Sequence, residues 1–158
     1  IALKPFMLNV HATGGKEMLS AAVEAAGNGQ ERPLILAVTV LTSLGDDDMS
    51  SIGIESSSEK QVLRLAQLAK DQNVDGVVCS AHEAYALRRA LGPDFLLVVP
   101  GIRPSWAATN DQKRIITPVD AVDLGIDYLV IGRPITNAAN PVDAARRIVD
   151  ELDNHKCL

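Results

Sequence analysis

No stretch of the 158-residue chain approaches the roughly 20 consecutive apolar residues that span a bilayer, so no membrane partner is expected. The first residues, IALKPFMLNVH, lack the long apolar core and small-residue cleavage site of a signal peptide, and they also lack an initiator Met. Cysteine is scarce: Cys79 lies inside an apolar run, Cys157 lies near the end, and no CxxC or Cys/His cluster is present. That excludes a disulfide framework and a zinc site of the usual spacing, and it fits a reducing cytoplasm. Excess positive charge is missing too. With 15 Lys and Arg against 20 Asp and Glu, the net charge is -5, and the basic residues are scattered, so no stripe for nucleic acid is expected. Any anion must be held locally.

What the chain does have is 47% hydrophobic and 22% charged content, enough for one sizeable core in a single domain. Five short runs, Phe6 to Val10, Leu34 to Val40, Gly76 to Cys79, Phe95 to Val99 and Tyr128 to Ile131, are rich in Val, Ile and Leu and show no regular polar alternation. They read as parallel strands covered on both faces.

Helix signals fill the intervals. Val62, Leu65, Ala66 and Ala69 recur at helical spacing, as do Ala84, Leu87 and Leu91. Ser80 with Glu83 and Ser56 with Glu59 fit capping boxes, Thr117-Pro118 and Asn140-Pro141 put a capping side chain before a first-turn proline, and Gly92 and Gly125 mark stops. Alternating strand and helix makes right-handed crossovers and a parallel sheet, either an open doubly wound sheet or a (β/α)8 barrel.

In both architectures ligands bind where the strands end. The residues there are polar: His11-Ala12-Thr13-Gly14-Gly15, Leu41-Thr42-Ser43, Pro100-Gly101-Ile102-Arg103-Pro104 and Gly132-Arg133-Pro134. A glycine at a strand end lets a ligand approach the main chain, amides donate to phosphate oxygens, and an arginine adds charge and a fork of donors. Each such hydrogen bond contributes on the order of 1.5 to 3 kcal/mol. A lone arginine more often pairs with a surface acid, but Arg103 and Arg133 at consecutive strand ends favour a phosphate grip. His11 can be a base or a hydrogen-bonded structural residue, and His82 and His155 read as solvated. Asp46-Asp47-Asp48 reads as a solvated loop or helix start rather than a cation site.

The segments NVHATGG (9–15), LAVTVLTS (36–43), DGVVCSAHEA (75–84), VVPGIRP (98–104), DQKRIITP (111–118) and YLVIGRPIT (128–136) closely resemble, in order and spacing, orotidine 5'-phosphate decarboxylase of the bacterial type. PGIRP followed by DQ and IGRPIT is specific, and the resemblance covers nearly the whole chain. It implies an α/β (β/α)8 TIM barrel, usually a homodimer, that converts orotidine 5'-phosphate to uridine 5'-phosphate and carbon dioxide in pyrimidine synthesis, with no metal or organic cofactor.

By the same resemblance, Thr42 lies in the pyrimidine pocket, Gln112 bridges ring and phosphate, Arg133 and the Gly132 amide hold the phosphate, and Arg103 is a further substrate-binding arginine. The long polar stretch from Gly101 to Ile116 would close over the ligand. The family's catalytic Asp-Lys-Asp array, D-x-K-x-x-D at the end of the third strand, is missing from this sequence. Lys4, followed by Pro5 and Phe6 with no Asp two residues before it, is expected at the opposite end of the barrel. The expectation is that residues 1–158 form a partial barrel domain, the last five β/α units, with strands 1 to 3 upstream, no catalytic residue in this chain, and little activity in isolation. Alternatives are another phosphate-binding barrel enzyme, such as a hexulose-phosphate synthase or an epimerase, or a non-catalytic fragment.

Overall fold

A computed structural model describes residues 3–107 and 116–156. The strands β1 (Met7–His11), β2 (Leu34–Val38), β3 (Gly76–Val78), β4 (Leu96–Pro100) and β5 (Tyr128–Val130) form one sheet in sequence order, each neighbour pair parallel. Helices α1 (Gly15–Ala26), α2 (Asp46–Ser51), α3 (Ser58–Asp71), α4 (Ala84–Leu91), α5 (Pro118–Asp123), α6 (Arg133–Thr136) and α7 (Pro141–Lys156) lie between and after the strands. A sheet that never reverses strand order has no switch point, so the doubly wound alternative falls away.

The register sorts the side chains into two faces, because paired residues in parallel strands point the same way. Ile35, Ala37, Val77, Leu97 and Val99 share one face and join Leu19, Val62, Leu65, Ala66 and Leu87 in a single buried core. That is the helix side of the wall. Leu36, Gly76, Val78, Leu96 and Val98 take the other face. Gly76 is required there: a Cβ on it would sit 2.3 Å from the Leu96 carbonyl oxygen and 2.5 Å from Leu96 Cβ.

The sheet curls. Flat, five strands would hold their two edges about 19 Å apart, yet Phe6 at the entry to β1 and Tyr128 on β5 meet edge to face with ring centroids 6.0 Å apart. Edge residues remain open, with Phe6 66%, Leu8 40% and Val130 47% exposed.

Two related clamps set the amino ends of the strands. Helix α3 runs out at Asn73, in the left-handed region (φ 59), then buried Val74 and Asp75 lead into β3; α5 runs out at Gly125 (φ 73), then buried Ile126 and Asp127 lead into β5. The Val74 and Ile126 amides donate back to Ala69 and Ala121. Asp75 accepts from the Ile35 amide of β2 at 2.7 Å and from both Arg32 guanidinium nitrogens at 2.8 and 2.6 Å. Burial works against the Asp75 charge, but the Arg32 and Ile35 hydrogen bonds outweigh it and hold the carboxyl below its ordinary range. Asp127 accepts from the Leu97 amide of β4 at 2.7 Å and pairs with Arg88. Arg88 also donates to the carbonyls of Gly92, Pro93, Phe95 and Gly125. Lys4 lies at this same end, 3.6 Å from exposed Glu31, and so far from where the strands finish.

Caps follow the sequence signals with one shift and one added turn. Thr117 and Asp120 exchange the reciprocal bonds of a capping box, and Asn140 Oδ1 accepts from the Val142 amide. Ser80 and Glu83 also form a box, but it opens a short 3-10 turn (Ala81–Glu83) that precedes α4. The cap of α3 is Ser57, whose hydroxyl accepts from Lys60 N, while the expected Ser56 instead bonds Gln61 Oε1. The reason is that Asp46 Oδ1 takes the Ser58 amide at 2.8 Å, which fixes the helix start one residue later.

Candidate functional site

All five strands end on the same side, and beyond β2, β3 and β4 they open into a cleft of about 890 Å³. Thr42 lies in its wall, exposed, on the loop between β2 and α2. That loop is held from both sides. Thr39, 4% exposed, ties the exit of β2 to β3 by donating both its amide and its hydroxyl to the Val78 carbonyl, at 3.2 and 2.9 Å. Further on, the Asp48 carboxylate accepts from the Gly45 amide at 2.9 Å, and Asp46 reaches over to α3. Asp46-Asp47-Asp48 is therefore a helix start, with the three acids in the first turn, where the helix dipole favours negative charge.

The opposite wall comes from the end of β4. Gly101 turns the chain with φ 81, a left-handed value that a side chain would strain, and Ile102 pairs in parallel fashion with Ile116. The Arg103 amide donates to the Ile116 carbonyl at 3.0 Å, and the Arg103 residue is 3% exposed. So the base of the long polar loop is pinched shut by main-chain pairing. Gln112 falls outside the described residues.

Gly132 and Arg133 stand at the end of β5, both exposed. The Gly132 carbonyl accepts from Ile135 at 2.8 Å and Thr136 at 3.1 Å, which winds Arg133–Thr136 into the single turn of α6. A Cβ placed on Gly132 would meet nothing within 4 Å. The space before this glycine is open, as a ligand approaching the main chain requires. The fold thus brings Thr42 and Gly101 to one cleft, and sets Arg103 and Arg133 at the ends of the two adjacent strands β4 and β5. Arg103, Gly132 and Arg133 do not appear among the described residues lining the cleft.

Sequence reasoning passed over the end of β3. Ser80, His82 and Glu83 line the same cleft, together with Asp46 and Asp47. The signal was available, since Ser80 directly follows an apolar run, but its fit to a cap absorbed it. Glu83 is pushed up from the ordinary carboxylate range by burial, against the pull of its hydrogen bond from the Ser80 amide and with Glu59 adding to the rise. Along the rim of the sheet the charge is divided: the carboxylates Asp46, Asp47 and Glu83 line the cleft at the ends of β2 and β3, while Arg103 and Arg133 stand outside that lining at the ends of β4 and β5. An anionic ligand group is favoured on the second side.

The remaining candidates are quickly placed. His11 is exposed at the end of β1, with no side-chain hydrogen bond among the described residues. His82 is exposed, as expected. His155 is not solvated: its Nε2 lies 2.7 Å from Asp123 Oδ1 and ties α7 to α5. Cys79 is buried, and burial pushes its thiol up to about 12, which makes it inert. Among the described residues no group of three or more His, Cys, Asp or Glu is arranged to hold a metal ion, and no helix is long and apolar enough to cross a membrane.

Comparison with known proteins places this geometry. An orotidine 5'-phosphate decarboxylase from Trichlorobacter lovleyi is 55% identical over 149 residues, covering 92% of this chain and 62% of that protein; one from Rhodospirillum rubrum is 54% identical over 155 residues, covering 95% and 63%. The chain thus spans less than two thirds of the length of these curated relatives. The solved orotidine 5'-phosphate decarboxylase of Lactobacillus acidophilus superposes with a TM-score of 0.81 at 37% identity, covering 95% of this chain and 64% of that one. A decarboxylase structure from Sulfolobus solfataricus, at 20% identity and a TM-score of 0.65, shares the fold. The sheet is accordingly part of a TIM barrel, of which this chain supplies five β/α units. The model of the orotidine 5'-phosphate decarboxylase / HUMPS family matches residues 1–148, and with relatives more than half identical along nearly all of its length, the chain belongs to that family.

Proposed function

We propose that the chain carries the phosphate- and pyrimidine-binding part of an orotidine 5'-phosphate decarboxylase, a carboxy-lyase that forms uridine 5'-phosphate and carbon dioxide. The observation that carries this reading is the identity of 50–55% to curated relatives, all bearing that name. In the proposal Arg133 and the Gly132 amide grip the phosphate, Arg103 supports the same side, Gln112 bridges phosphate and ring, and Thr42 meets the pyrimidine. The division of charge along the rim supports that orientation, with the phosphate over β4 and β5 and the base toward β2.

Loss of carbon dioxide leaves a carbanion on the ring, so the reaction needs a cation beside that carbon and a dry site, and distant phosphate contacts can drive closure around it. The cation is a lysine of an Asp-Lys-Asp array, which this sequence does not contain. Three further β/α units would bring that array, close the barrel and support a homodimer in the cytoplasm, with no metal or organic cofactor; five strands alone turn over no substrate.

Calorimetric titration of the chain tests the binding half. Uridine 5'-phosphate should bind more tightly than ribose 5-phosphate, and Arg133→Ala should weaken binding by about 10- to 100-fold, the equivalent of one charge-assisted hydrogen bond. Equal affinity for the two ligands, or an Arg133→Ala chain that binds as well as the parent, sinks the proposal.

A further inference from the structure

We propose that Arg147 is a positioning residue: by stacking its guanidinium on Trp106 it fixes residues 103–107 after β4 and makes α7 a strut between the two arginine-bearing strand ends. Trp106 is the single tryptophan of the chain. The Arg147 Cζ atom lies 4.4 Å from the centroid of its indole, well within the range where a cation is attracted to the face of the ring. The neighbouring Arg146 reaches Asp143 on its own helix at 3.7 Å, whereas Arg147 leaves its helix for the ring.

Among the described residues no hydrogen bond anchors the indole. Its Nε1 is buried without a partner among the described residues, so stacking and packing hold the ring where a bonded N–H would ordinarily do so. The backbone around it is short and braced: Ala107 N donates to the Pro104 carbonyl at 3.0 Å, Pro104 is fully buried, and Arg103 N is bonded to Ile116. Movement of Trp106 is therefore passed to Arg103 three residues away. At its other end α7 follows the Gly132–Thr136 turn directly, is capped by Asn140, and packs on both α6 and α5. One helix thus touches the segment that bears Arg103 and the turn that bears Arg133. A cation on the ring face sets their spacing.

The strut stands on this geometry alone; its consequence for ligand binding rests on the function proposed above. Acrylamide quenching of Trp106 fluorescence in the full chain reads the strut directly. Arg147→Ala and Arg147→Gln should raise the quenching constant about twofold, while Arg147→Lys, which keeps a cation, should stay closer to the parent. Uridine 5'-phosphate affinity should fall about three- to tenfold in Arg147→Ala and recover in Arg147→Lys. Identical quenching in the parent and in folded Arg147→Gln overturns the strut, and increased quenching with unchanged affinity overturns the coupling to the site. If Arg147→Ala fails to fold, the Lys and Gln pair decides. A parent chain that binds no uridine 5'-phosphate removes the proposed function, and the quenching comparison still accepts or rejects the strut.

Discussion

Replacing Arg88 should destabilise the chain more than any change to a half-buried cation ordinarily does. Its Nη1 donates to the carbonyls of Pro93 and Phe95 at 2.9 and 2.6 Å and more weakly to Gly92 at 3.3 Å; Nε and Nη2 share the Gly125 carbonyl at 2.9 and 2.6 Å; and Nη2 also pairs with Asp127. With its side chain only 18% exposed, Arg88 ties the ends of α4 and α5 to the entries of β4 and β5. A hydrogen bond to a charged group contributes about 1.5–3 kcal/mol. The bonds share one side chain and do not add, and water can reach some of the vacated carbonyls, so Arg88→Met should cost about 2–4 kcal/mol. In urea, with a slope of about 2 kcal/mol/M, the circular-dichroism midpoint should fall by about 1–2 M. Arg88→Lys should regain only part of the loss, because an ammonium cannot span carbonyls on both sides. A cost of Arg88→Met within about 0.5 kcal/mol of zero, the range of an ordinary surface change, would refute the reasoning.

Two further predictions concern other parts of the sheet. Gly76→Ala should cost about 1–3 kcal/mol in the same urea melts, because the new methyl meets the main chain of β4, which cannot swing aside; an unchanged midpoint would show that the strands can part. Glu83 should make stability depend on pH. Its pKa in the folded chain is raised, so its favourable contribution is fully present below the unfolded value of about 4.3 and is lost as pH rises through the folded value. Glu83→Gln keeps an oxygen for the Ser80 amide while removing the buried charge, so it should be more stable than the parent at pH 7 and equal to it near pH 4. Melting curves at the two pH values check the sign.

Much of the architecture was legible because apolar content announces a buried strand and because capping chemistry is local. All five runs became strands within two residues of their expected limits, and Thr117, Asn140, Gly92 and Gly125 did what their types suggest. The errors came where a distant partner decides. Ser57 replaced Ser56 because Asp46 arrives from another loop, and His155 found Asp123 across 32 residues. The Asp75 and Asp127 clamps went unread for the same reason: each takes its meaning from a guanidinium and an amide on other segments. At the site, Thr42, Arg103, Gly132 and Arg133 were placed on strand ends by pattern alone. The share of the cleft held by Ser80, His82 and Glu83 was hidden behind their capping role.

The paired clamps also separate two kinds of work. Asp75 with Arg32, and Asp127 with Arg88, repeat one arrangement, and both lie where strands begin, a whole strand length from Thr42, Gly101 and Gly132. Mechanical integrity is thereby anchored on the floor of the structure, while recognition occupies the roof. Loops on the roof can be exchanged or shortened without loosening the foundations, and so ligand preference in this scaffold is free to drift while its folding stays the same.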